Sequence, residues 1–377
     1  MRSLINTVIA RNPVMTDPFN PPERTHQHGD FSRMETRLAH RNHGLLLELL
    51  QHDVTPVGAH YLLTHFDVPY IAPSDAWTLQ CDGLVDRPRT FSMAELMARP
   101  YEEEVVTLEC AGNGRALVEP RWQSQPWHEE AVGTARWGGT RLAPLLAELG
   151  VADAVEDVVF ESCDWGIDGG VEHVFARSMT REQIQTTGAL LVWQMNGQPL
   201  LPQHGFPLRV VVPGWYGMAS VKWLARISCI DTPFQGYQQV QTYRYRQAAG
   251  DEGIPVQQLK VRSLMAPPGI PDWYSRERVA RAGPVEVVGR AWSGRGVPIE
   301  RVEVAVDGEW SDADVQPAIG RYAWSKWQWS WQASPGHVEL MCRATDAEGQ
   351  QQPIEPAWDA AGFGNNACQR VSVWVRE

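Results

Sequence analysis

Residues 106–115 read VTLECAGNGR, so Cys110 ends an apolar run and small residues follow it directly. The thiolate form of cysteine is a nucleophile and a ligand for soft or borderline metals. Gly112 and Gly114 permit a tight turn and the close approach of a bulky group, and Arg115 adds a fixed positive charge. The segment therefore predicts chemistry at Cys110, either as a metal ligand or as the nucleophile of a thiol hydrolase or transferase. The alternative is a buried cysteine that simply precedes a turn.

A second segment, residues 196–224, combines basic side chains with turn residues. His204, Arg209 and Lys222 lie among glycines and prolines, and Ser220 is close to them in sequence. Arginine binds phosphate through two parallel hydrogen bonds, whereas lysine acts as a point charge. These residues predict a cradle for an anion, although a solvent-exposed basic edge would have the same composition.

Together the two segments resemble the sulfite oxidase family of molybdenum-cofactor oxidoreductases, in particular its stand-alone bacterial members. LECAGNGR is similar to the family segment in which a cysteine binds molybdenum, and residues 195–224 are similar to the pterin-binding stretch. Residues 134–146 are similar to the segment that follows the cysteine loop, and residues 290–310 and 358–375 resemble the C-terminal dimerisation domain. The resemblance extends from about residue 55 to the C-terminus.

The resemblance implies a cofactor and assigns residues to it. Cys110 would be the protein ligand to molybdenum, and the dithiolene of a molybdopterin would supply the other sulfur ligands. Arg115 and Trp127 would form the pocket for an oxyanion substrate, although packing alone would also explain Trp127 in a chain with 17 tryptophans. The pterin and its phosphate would be held by His65, His204, Arg209, Ser220 and Lys222.

Two places depart from the family pattern. Leu63 and Thr64 stand where the family has an arginine and an asparagine before the histidine that His65 matches. The arginine missing at position 63 would make a charge-assisted contact with sulfite. Loss of such a contact costs about 1.5–3 kcal/mol, which predicts weaker binding of sulfite. Arg321 is a candidate for a second family arginine, which the C-terminal domain contributes to the substrate pocket. The tyrosine that animal and plant members place beside molybdenum falls near Gly169, and the expected replacements are Glu172, His173 or Tyr216.

The composition narrows the function further. The 377 residues carry a formal charge of −12, which argues against nucleic acid as a partner. No apolar run approaches the roughly 20 residues of a membrane span.

The first 24 residues show neither a signal peptide nor a twin-arginine pair, so a cytoplasmic location is expected, with the periplasm left open. No haem, flavin or nicotinamide motif is found, and the six cysteines include no C-x-x-C pair.

The elements that must position these residues are short. Ser92 and Glu95 form a capping box before one helix, and a second helix is expected to begin at Thr140 and to end at Gly150. Because helices do not follow every strand, the pattern predicts an α+β fold. Strands are predicted over residues 103–110, 155–162, 190–197, 207–214 and 221–230.

Alternating strands after residue 284 predict an immunoglobulin-like (Ig-like) β-sandwich. We therefore expect a sulfite-oxidase-type α+β molybdopterin domain followed by this sandwich, which would mediate a homodimer. The predicted organisation is an N-terminal arm at residues 1–45, a catalytic domain at 46–235, a linker at 236–283 and a dimerisation domain at 284–377.

The predicted reaction is the oxidation of sulfite to sulfate by oxygen-atom transfer at a Cys110-ligated molybdopterin. Electrons would pass to a separate acceptor such as a cytochrome. Three alternatives stay open: the same fold could act on another sulfur compound, it could work as a sulfoxide-type reductase, or it could be a non-catalytic binding protein.

Overall fold

The computed structural model describes residues 26–27, 30–71, 76–248 and 250–377. Residues 1–25, which form more than half of the predicted N-terminal arm and carry the expectation about location, lie outside the described residues. Within the described ranges, no helix combines the length and the apolar character needed to cross a bilayer.

The helices and strands are mostly short. Up to residue 230 they are β1 His26–Gln27, α1 Arg33–Arg41, β2 Thr78–Gly83, β3 Arg89–Ser92, α2 Met93–Met97, β4 Glu102–Glu109, β5 Arg121–Trp122, β6 Val132–Arg141, α3 Leu142–Leu149, β7 Asp157–Asp168, β8 Val171–Met179, α4 Arg181–Thr187, β9 Leu190–Met195, β10 Gln198–Pro199, β11 Arg209–Val211 and β12 Leu224–Ile230. The later strands are β13 Arg244–Tyr245, β14 Ile254–Pro255, β15 Arg262–Met265, β16 Ile270–Pro271, β17 Arg278–Arg281, β18 Gly283–Trp292, β19 Ile299–Val306, β20 Glu309–Val315, β21 Ser325–Ala333, β22 Gly336–Asp346 and β23 Gln369–Arg376. Single helical turns lie at Leu47–Gln51, Val57–Ala59, Arg115–Leu117, Pro202–His204, Gly217–Ala219 and Gln238–Thr242.

Two five-stranded sheets contain ten of the twelve strands described before residue 231. One has the order β10-β9-β6-β4, with β11 also paired to β9, and the other has the order β3-β2-β12-β7-β8. Strand β2 runs parallel to β12. Strand β4 is buried from Val105 to Glu109, which explains its continuous apolar sequence, because a strand covered on both faces shows no alternation. The mixture of sheets and short helices confirms the predicted α+β class.

Local capping signals set several helix ends. The Ser92 hydroxyl accepts a hydrogen bond from the Glu95 N–H, and the Glu95 carboxylate accepts one from the Ser92 N–H, so the predicted capping box is present. Helix α3 ends at Gly150, which adopts a left-handed conformation with φ 68° as predicted. The start of α3 is wrong by two residues: Thr140 pairs with Leu191 inside the sheet, so strand hydrogen bonds hold it extended.

The C-terminal part contains nine strands in the order β15-β18-β21-β20-β19-β22-β23-β17-β16. These strands enclose one apolar core that includes Met265, Trp327, Val304 and Cys342. Side chains from both ends of the strand order meet in that core, so the strands form two facing layers. The predicted Ig-like sandwich is confirmed.

The predicted linker at residues 236–283 is too long. Strand β15 pairs with β18 and β17 pairs in parallel with β23, so both belong to the C-terminal sandwich. All four residues of β15 are buried. The linker was predicted too long because the segment MAPPGIPDW connects β15 to β17. Its prolines and glycine indicate an irregular connection.

Candidate active site

Cys110 lies directly after strand β4, where the chain turns out of the sheet. Its backbone N–H donates to the Ala131 carbonyl at 2.9 Å, and its carbonyl accepts from the Asn113 N–H at 3.0 Å. The Asn113 side chain closes the turn, since its amide donates to Glu109 at 3.0 Å and its oxygen accepts from the Ala131 N–H at 3.0 Å. The cysteine is therefore held by backbone contacts on both sides and is only 6% exposed.

The two glycines of this loop are required by their neighbours. A Cβ at Gly112 would lie 2.7 Å from the guanidinium carbon of Arg115, and a Cβ at Gly114 would lie 2.8 Å from the Asn365 side chain. Gly114 also adopts φ +85°, a conformation that favours glycine. Both glycines thus allow the loop to pack tightly against Arg115 and against the C-terminal part of the chain.

One cavity, which we call the basic cavity, has Cys110 in its wall. It brings together all the side chains that the resemblance assigned to the pterin, although they come from distant segments. Its walls also include Tyr61 and Asp164. The predicted residues in its walls are His65, Cys110, His204, Arg209, Ser220 and Lys222.

Arg209 is the most firmly oriented cation of the basic cavity. It is buried, and its guanidinium donates to the His204 carbonyl at 2.9 Å and to the Ser220 carbonyl at 3.0 Å. The guanidinium also lies over the Trp137 ring, 4.9 Å from its centroid. Burial lowers the pKa of Arg209 to about 10. Because a guanidinium has five N–H donors, donors remain for a ligand in the cavity.

Lys222 crosses the floor of the same cavity. Its ammonium donates to the Leu63 carbonyl at 3.0 Å, to the Thr64 hydroxyl at 3.3 Å and to the Gln203 carbonyl at 3.1 Å. Burial, reinforced by the charge of Arg209, lowers the pKa of Lys222 to about 7. The lysine thus braces the segment around Leu63 besides contributing charge.

The cavity concentrates positive charge without ion pairs. Among the described residues, neither Arg209 nor Lys222 forms a salt bridge with a carboxylate, and Asp164 instead accepts a hydrogen bond from Ser162. Burial lowers the pKa of His60 to about 4, and it also lowers that of His204. Buried cations without a negatively charged partner are costly, so the cavity is suited to an anionic ligand.

Cys110 also lines a second, larger cavity. We call it the Arg115 cavity, because Arg115 and Trp127 both line it, as the family resemblance implies for the substrate pocket. The two cavities share four wall residues: Leu63, His65, Cys110 and Tyr243. The basic cavity and the Arg115 cavity therefore adjoin one another at Cys110.

Arg115 is held by the C-terminal part of the chain. Its Nε donates to the Ala361 carbonyl at 2.8 Å and Nη1 donates to the Gln125 carbonyl at 3.2 Å. The guanidinium also lies over the Phe363 ring, 5.1 Å from its centroid. These contacts fix the orientation of the charge, and the contact with Ala361 comes from a segment 246 residues away in sequence.

The surroundings of Cys110 have opposing effects on the pKa of its thiol. Burial raises its pKa, while the charge of Arg115 and a contact from the Trp127 indole N–H oppose that effect. The indole N–H makes no hydrogen bond of normal geometry in the structure. Because a metal ion displaces the proton of a ligating thiol, metal binding would convert Cys110 to the thiolate and release that proton.

Tyr243 is the main residue of the site that sequence reasoning missed. Its hydroxyl lies 2.7 Å from Nε2 of His65, and the Arg177 guanidinium lies over its ring at 5.5 Å. Burial raises the pKa of Tyr243 and lowers that of His65 to about 4. The phenol is therefore protonated and the imidazole uncharged at neutral pH.

The expected substitutes for the family tyrosine lie elsewhere. Glu172 is exposed, His173 stacks on Tyr237, and neither these two residues nor Tyr216 is among the wall residues of either cavity. Gly169 lies in the turn between β7 and β8, where a Cβ would meet the Tyr237 hydroxyl at 2.0 Å. The phenol at this site comes from Tyr243, immediately after the turn Gln238–Thr242, and no local motif marks it.

A second contribution that the sequence reasoning missed comes from Asn42. Its side-chain oxygen accepts from the Thr64 N–H at 2.9 Å, and its amide donates to Gln125 at 2.9 Å. Asn42 also lines the Arg115 cavity. A signal was present, because residues 41–43 read Arg-Asn-His, the tripeptide whose first two members are missing at positions 63 and 64.

Arg321 does not join the site. It is exposed, donates to the Gly296 carbonyl at 3.4 Å and lines a separate groove of the C-terminal sandwich. The sandwich instead reaches the site through Phe363 and through Arg262, which donates to the Glu109 carboxylate at 2.8 Å.

Comparisons with known proteins agree with this division of the chain. Residues 65–238 match the family described as "Oxidoreductase molybdopterin binding domain". Residues 254–376 match the family described as "Mo-co oxidoreductase dimerisation domain". Together the two matches cover most of the described residues.

Individual relatives act on more than one substrate. The chain is 33% identical over 354 residues to the mitochondrial sulfite oxidase of Macaca fascicularis, a match that covers 87% of this chain and 63% of that protein. It is 32% identical over 361 residues to the NAD(P)H nitrate reductase of Hordeum vulgare, covering 88% of this chain and 40% of that protein. The chain thus spans less than two thirds of the length of these relatives.

The fold resembles that of a solved structure. The sulfane dehydrogenase SoxCD from Paracoccus pantotrophus matches with a TM-score of 0.75 and 21% identity, covering 100% of this chain and 96% of that chain. At this identity the likeness concerns the fold.

Proposed function

Because the chain belongs to the sulfite oxidase family of molybdenum-cofactor oxidoreductases, we propose that it oxidises sulfite to sulfate and passes the electrons to a separate acceptor. The observation that carries the proposal is the position of Cys110 in the walls of both the basic cavity and the Arg115 cavity. One compartment is suited to an anionic cofactor, the other to a substrate, and the ligating sulfur lies at their junction.

The residues of the basic cavity fit a molybdopterin. Arg209 and Lys222 are buried cations without carboxylate partners among the described residues, so the phosphate of the cofactor would supply the missing negative charge. Ser220 accepts a hydrogen bond from the Val212 N–H at 3.0 Å, and its own hydroxyl proton remains available to a phosphate oxygen. Cys110 would bind the metal at the end of the cavity that meets the Arg115 cavity. When bound, the molybdenum cofactor supplies two-electron oxygen-atom transfer.

The protein's own contribution is binding and orientation. Arg115 attracts the anion into the second cavity, and its contacts with Ala361 and Gln125 keep the guanidinium in place before substrate arrives. Trp127 and Phe363 are buried and form apolar walls that exclude water. Tyr243 keeps its proton at neutral pH and offers its hydroxyl at the junction of the two cavities.

A steady-state assay tests the function. The purified protein, produced with adequate molybdate, is given sulfite with ferricyanide as acceptor, in parallel with nitrate and sulfoxides as oxidants for the reduced enzyme. Reduction of ferricyanide that depends on sulfite and on bound molybdenum supports the proposal. Turnover of nitrate or sulfoxides with no response to sulfite would overturn it.

We also propose a homodimer formed through the C-terminal sandwich, which is the part that matches the dimerisation family. Size-exclusion chromatography with light scattering measures the mass directly. A mass of about twice 42.3 kDa supports the dimer, and a monomer at micromolar concentration contradicts it.

A further inference from the structure

The Arg115 cavity has an apolar side that a small inorganic anion does not use. Helix α1, the segment around residue 65, the β7–β8 hairpin and the C-terminal part each contribute to it. The apolar side chains in its walls are Met34, Leu38, Leu63, Phe66, Ile167 and Phe363. Walls of this kind are typical of sites for organic molecules, so we expect the substrate to carry an organic group that contacts these side chains.

The charges in these walls are balanced. Among the described residues that line the Arg115 cavity, Arg115 carries the positive charge and Asp168 carries a negative one. His65 also lines the cavity and is uncharged at neutral pH. A dianion would be attracted by one group and repelled by the other, whereas a monoanion can place its charge beside Arg115 and its apolar part against the apolar side chains of the walls.

We propose that this cavity accepts organic sulfinates, R–SO₂⁻, and that the enzyme oxidises them to sulfonates, R–SO₃⁻. The inference rests on the proposed oxygen-atom transfer, because a sulfinate carries the same sulfur lone pair as sulfite. The net reaction is R–SO₂⁻ + H₂O → R–SO₃⁻ + 2 H⁺ + 2 e⁻. The sulfur lone pair becomes the new S–O bond, water supplies the oxygen, and a separate one-electron acceptor such as a cytochrome takes the two electrons in turn.

The burial of apolar surface predicts how strongly the length of the substituent affects the binding of a sulfinate. Each methylene group transferred from water to an apolar wall strengthens binding about fourfold. Sulfinates with longer apolar substituents should therefore be used more efficiently until the cavity is filled. A pocket built only for sulfite would show the opposite trend, because each added carbon would clash with its walls.

The test compares sulfite with methane-, propane- and benzenesulfinate on the molybdenum-loaded enzyme, with ferricyanide as acceptor. We expect kcat/KM to rise at least tenfold from methanesulfinate to propanesulfinate and to exceed the value for sulfite. A preference for sulfite over every sulfinate would overturn this inference and leave the proposed function intact. No reaction with any of the four compounds would instead contradict the proposed function. Reduction of neutral sulfoxides alone would overturn both.

Binding of the product gives a readout that does not depend on turnover. Propanesulfonate should bind the loaded enzyme in calorimetry, and Leu63→Asn should weaken that binding about tenfold, because an uncharged polar amide replaces part of the apolar wall. Leu46→Asn is the matched control, since Leu46 is 65% exposed and lies outside both cavities. If Leu63→Asn does not fold, Met34→Gln on helix α1 makes the same test at a partly exposed wall position. Equal binding to wild type and to a folded wall variant would overturn the inference.

Discussion

The carboxylate of Glu109, one residue before Cys110, accepts a hydrogen bond from Arg262 at 2.8 Å, and the two side chains are 2% and 1% exposed. Glu109 belongs to strand β4 and Arg262 to strand β15 of the C-terminal sandwich. The indole of Trp292 donates to the other carboxylate oxygen at 3.0 Å. Two side chains of the sandwich therefore fix the residue that precedes Cys110 and so help to position the cysteine loop, in addition to any role of the sandwich in dimerisation.

Replacement of the carboxylate in the Glu109–Arg262 ion pair should lower the free energy of unfolding of the protein. Glu109→Gln removes the carboxylate that is hydrogen-bonded to the buried Arg262 guanidinium, which typically costs about 3–5 kcal/mol. The free energy of unfolding, from urea denaturation, measures the effect. Arg181→Gln is the control, because its pair with Asp153 is exposed and should contribute less than about 1 kcal/mol. Equal losses for the two variants would mean that burial of the pair has no special cost.

Cys110→Ser should abolish sulfite turnover while the fold persists. Serine keeps the size and the backbone contacts of the loop but is a poor ligand for a metal that prefers thiolates. Steady-state kinetics with sulfite and the circular dichroism spectrum measure the two effects. Cys163→Ser is the control, because Cys163 lies on strand β7 outside both cavities. Wild-type turnover in Cys110→Ser would show that the cysteine is not an essential ligand of the metal.

Arg115→Gln should raise the KM for sulfite by roughly ten- to a hundredfold, which corresponds to the loss of about 1.5–3 kcal/mol from a charge-assisted contact. Steady-state kinetics at fixed ionic strength measure the change. Arg321→Gln, on the exposed face of the C-terminal sandwich, should leave KM unchanged. If Arg321→Gln has the larger effect, the substrate lies away from the Arg115 cavity.

Tyr243→Phe should lower kcat/KM about tenfold, because it removes the hydroxyl that lies 2.7 Å from His65 at the junction of the cavities. A loss mainly in kcat would mean that the hydroxyl acts on the reaction, and a loss mainly in KM that it binds substrate. Tyr274→Phe is the control, since Tyr274 is 90% exposed. The phenol is dispensable if both variants keep wild-type kinetics over the full pH range.

Lys222 should make the stability of the cofactor-free protein depend on pH. Its pKa falls from 10.5 to about 7 in the folded chain, so between these values the unfolded chain binds more protons than the folded one. The free energy of unfolding should therefore rise with pH from about 7 to about 10, by at most about 1.4 kcal/mol per unit. Urea denaturation at pH 7 and pH 9 measures the slope.

Lys222→Met should flatten that slope, and Lys326→Met, on strand β21, should not. An anionic cofactor stabilises the charged ammonium and raises its pKa, so binding of the cofactor should take up a proton. Its affinity should consequently fall as pH rises above 7. A slope that is the same in wild type and in Lys222→Met would assign the pH dependence to other groups.

The short-range features of this protein follow from sequence because their causes are local. The glycines around Cys110, the capping box of Ser92 and Glu95, and the end of α3 at Gly150 each depend on a few neighbouring residues. The alternation of the C-terminal strands likewise depends only on which face of a strand is buried. Thr140 was misplaced because the extent of β6 depends on its pairing with β9.

Only the tertiary structure shows which distant segments of the chain come into contact. Tyr243 meets His65 across 178 residues, and Arg262 meets Glu109 across 153. Such contacts depend on strand order and on how the sandwich packs against the first sheet, and neither leaves a periodic signal in the chain. The sequence by itself determined the family and, through it, the chemistry that we expect of Cys110. The tertiary structure determined that the cysteine lines two adjoining cavities, because their walls come from segments that only the fold brings together.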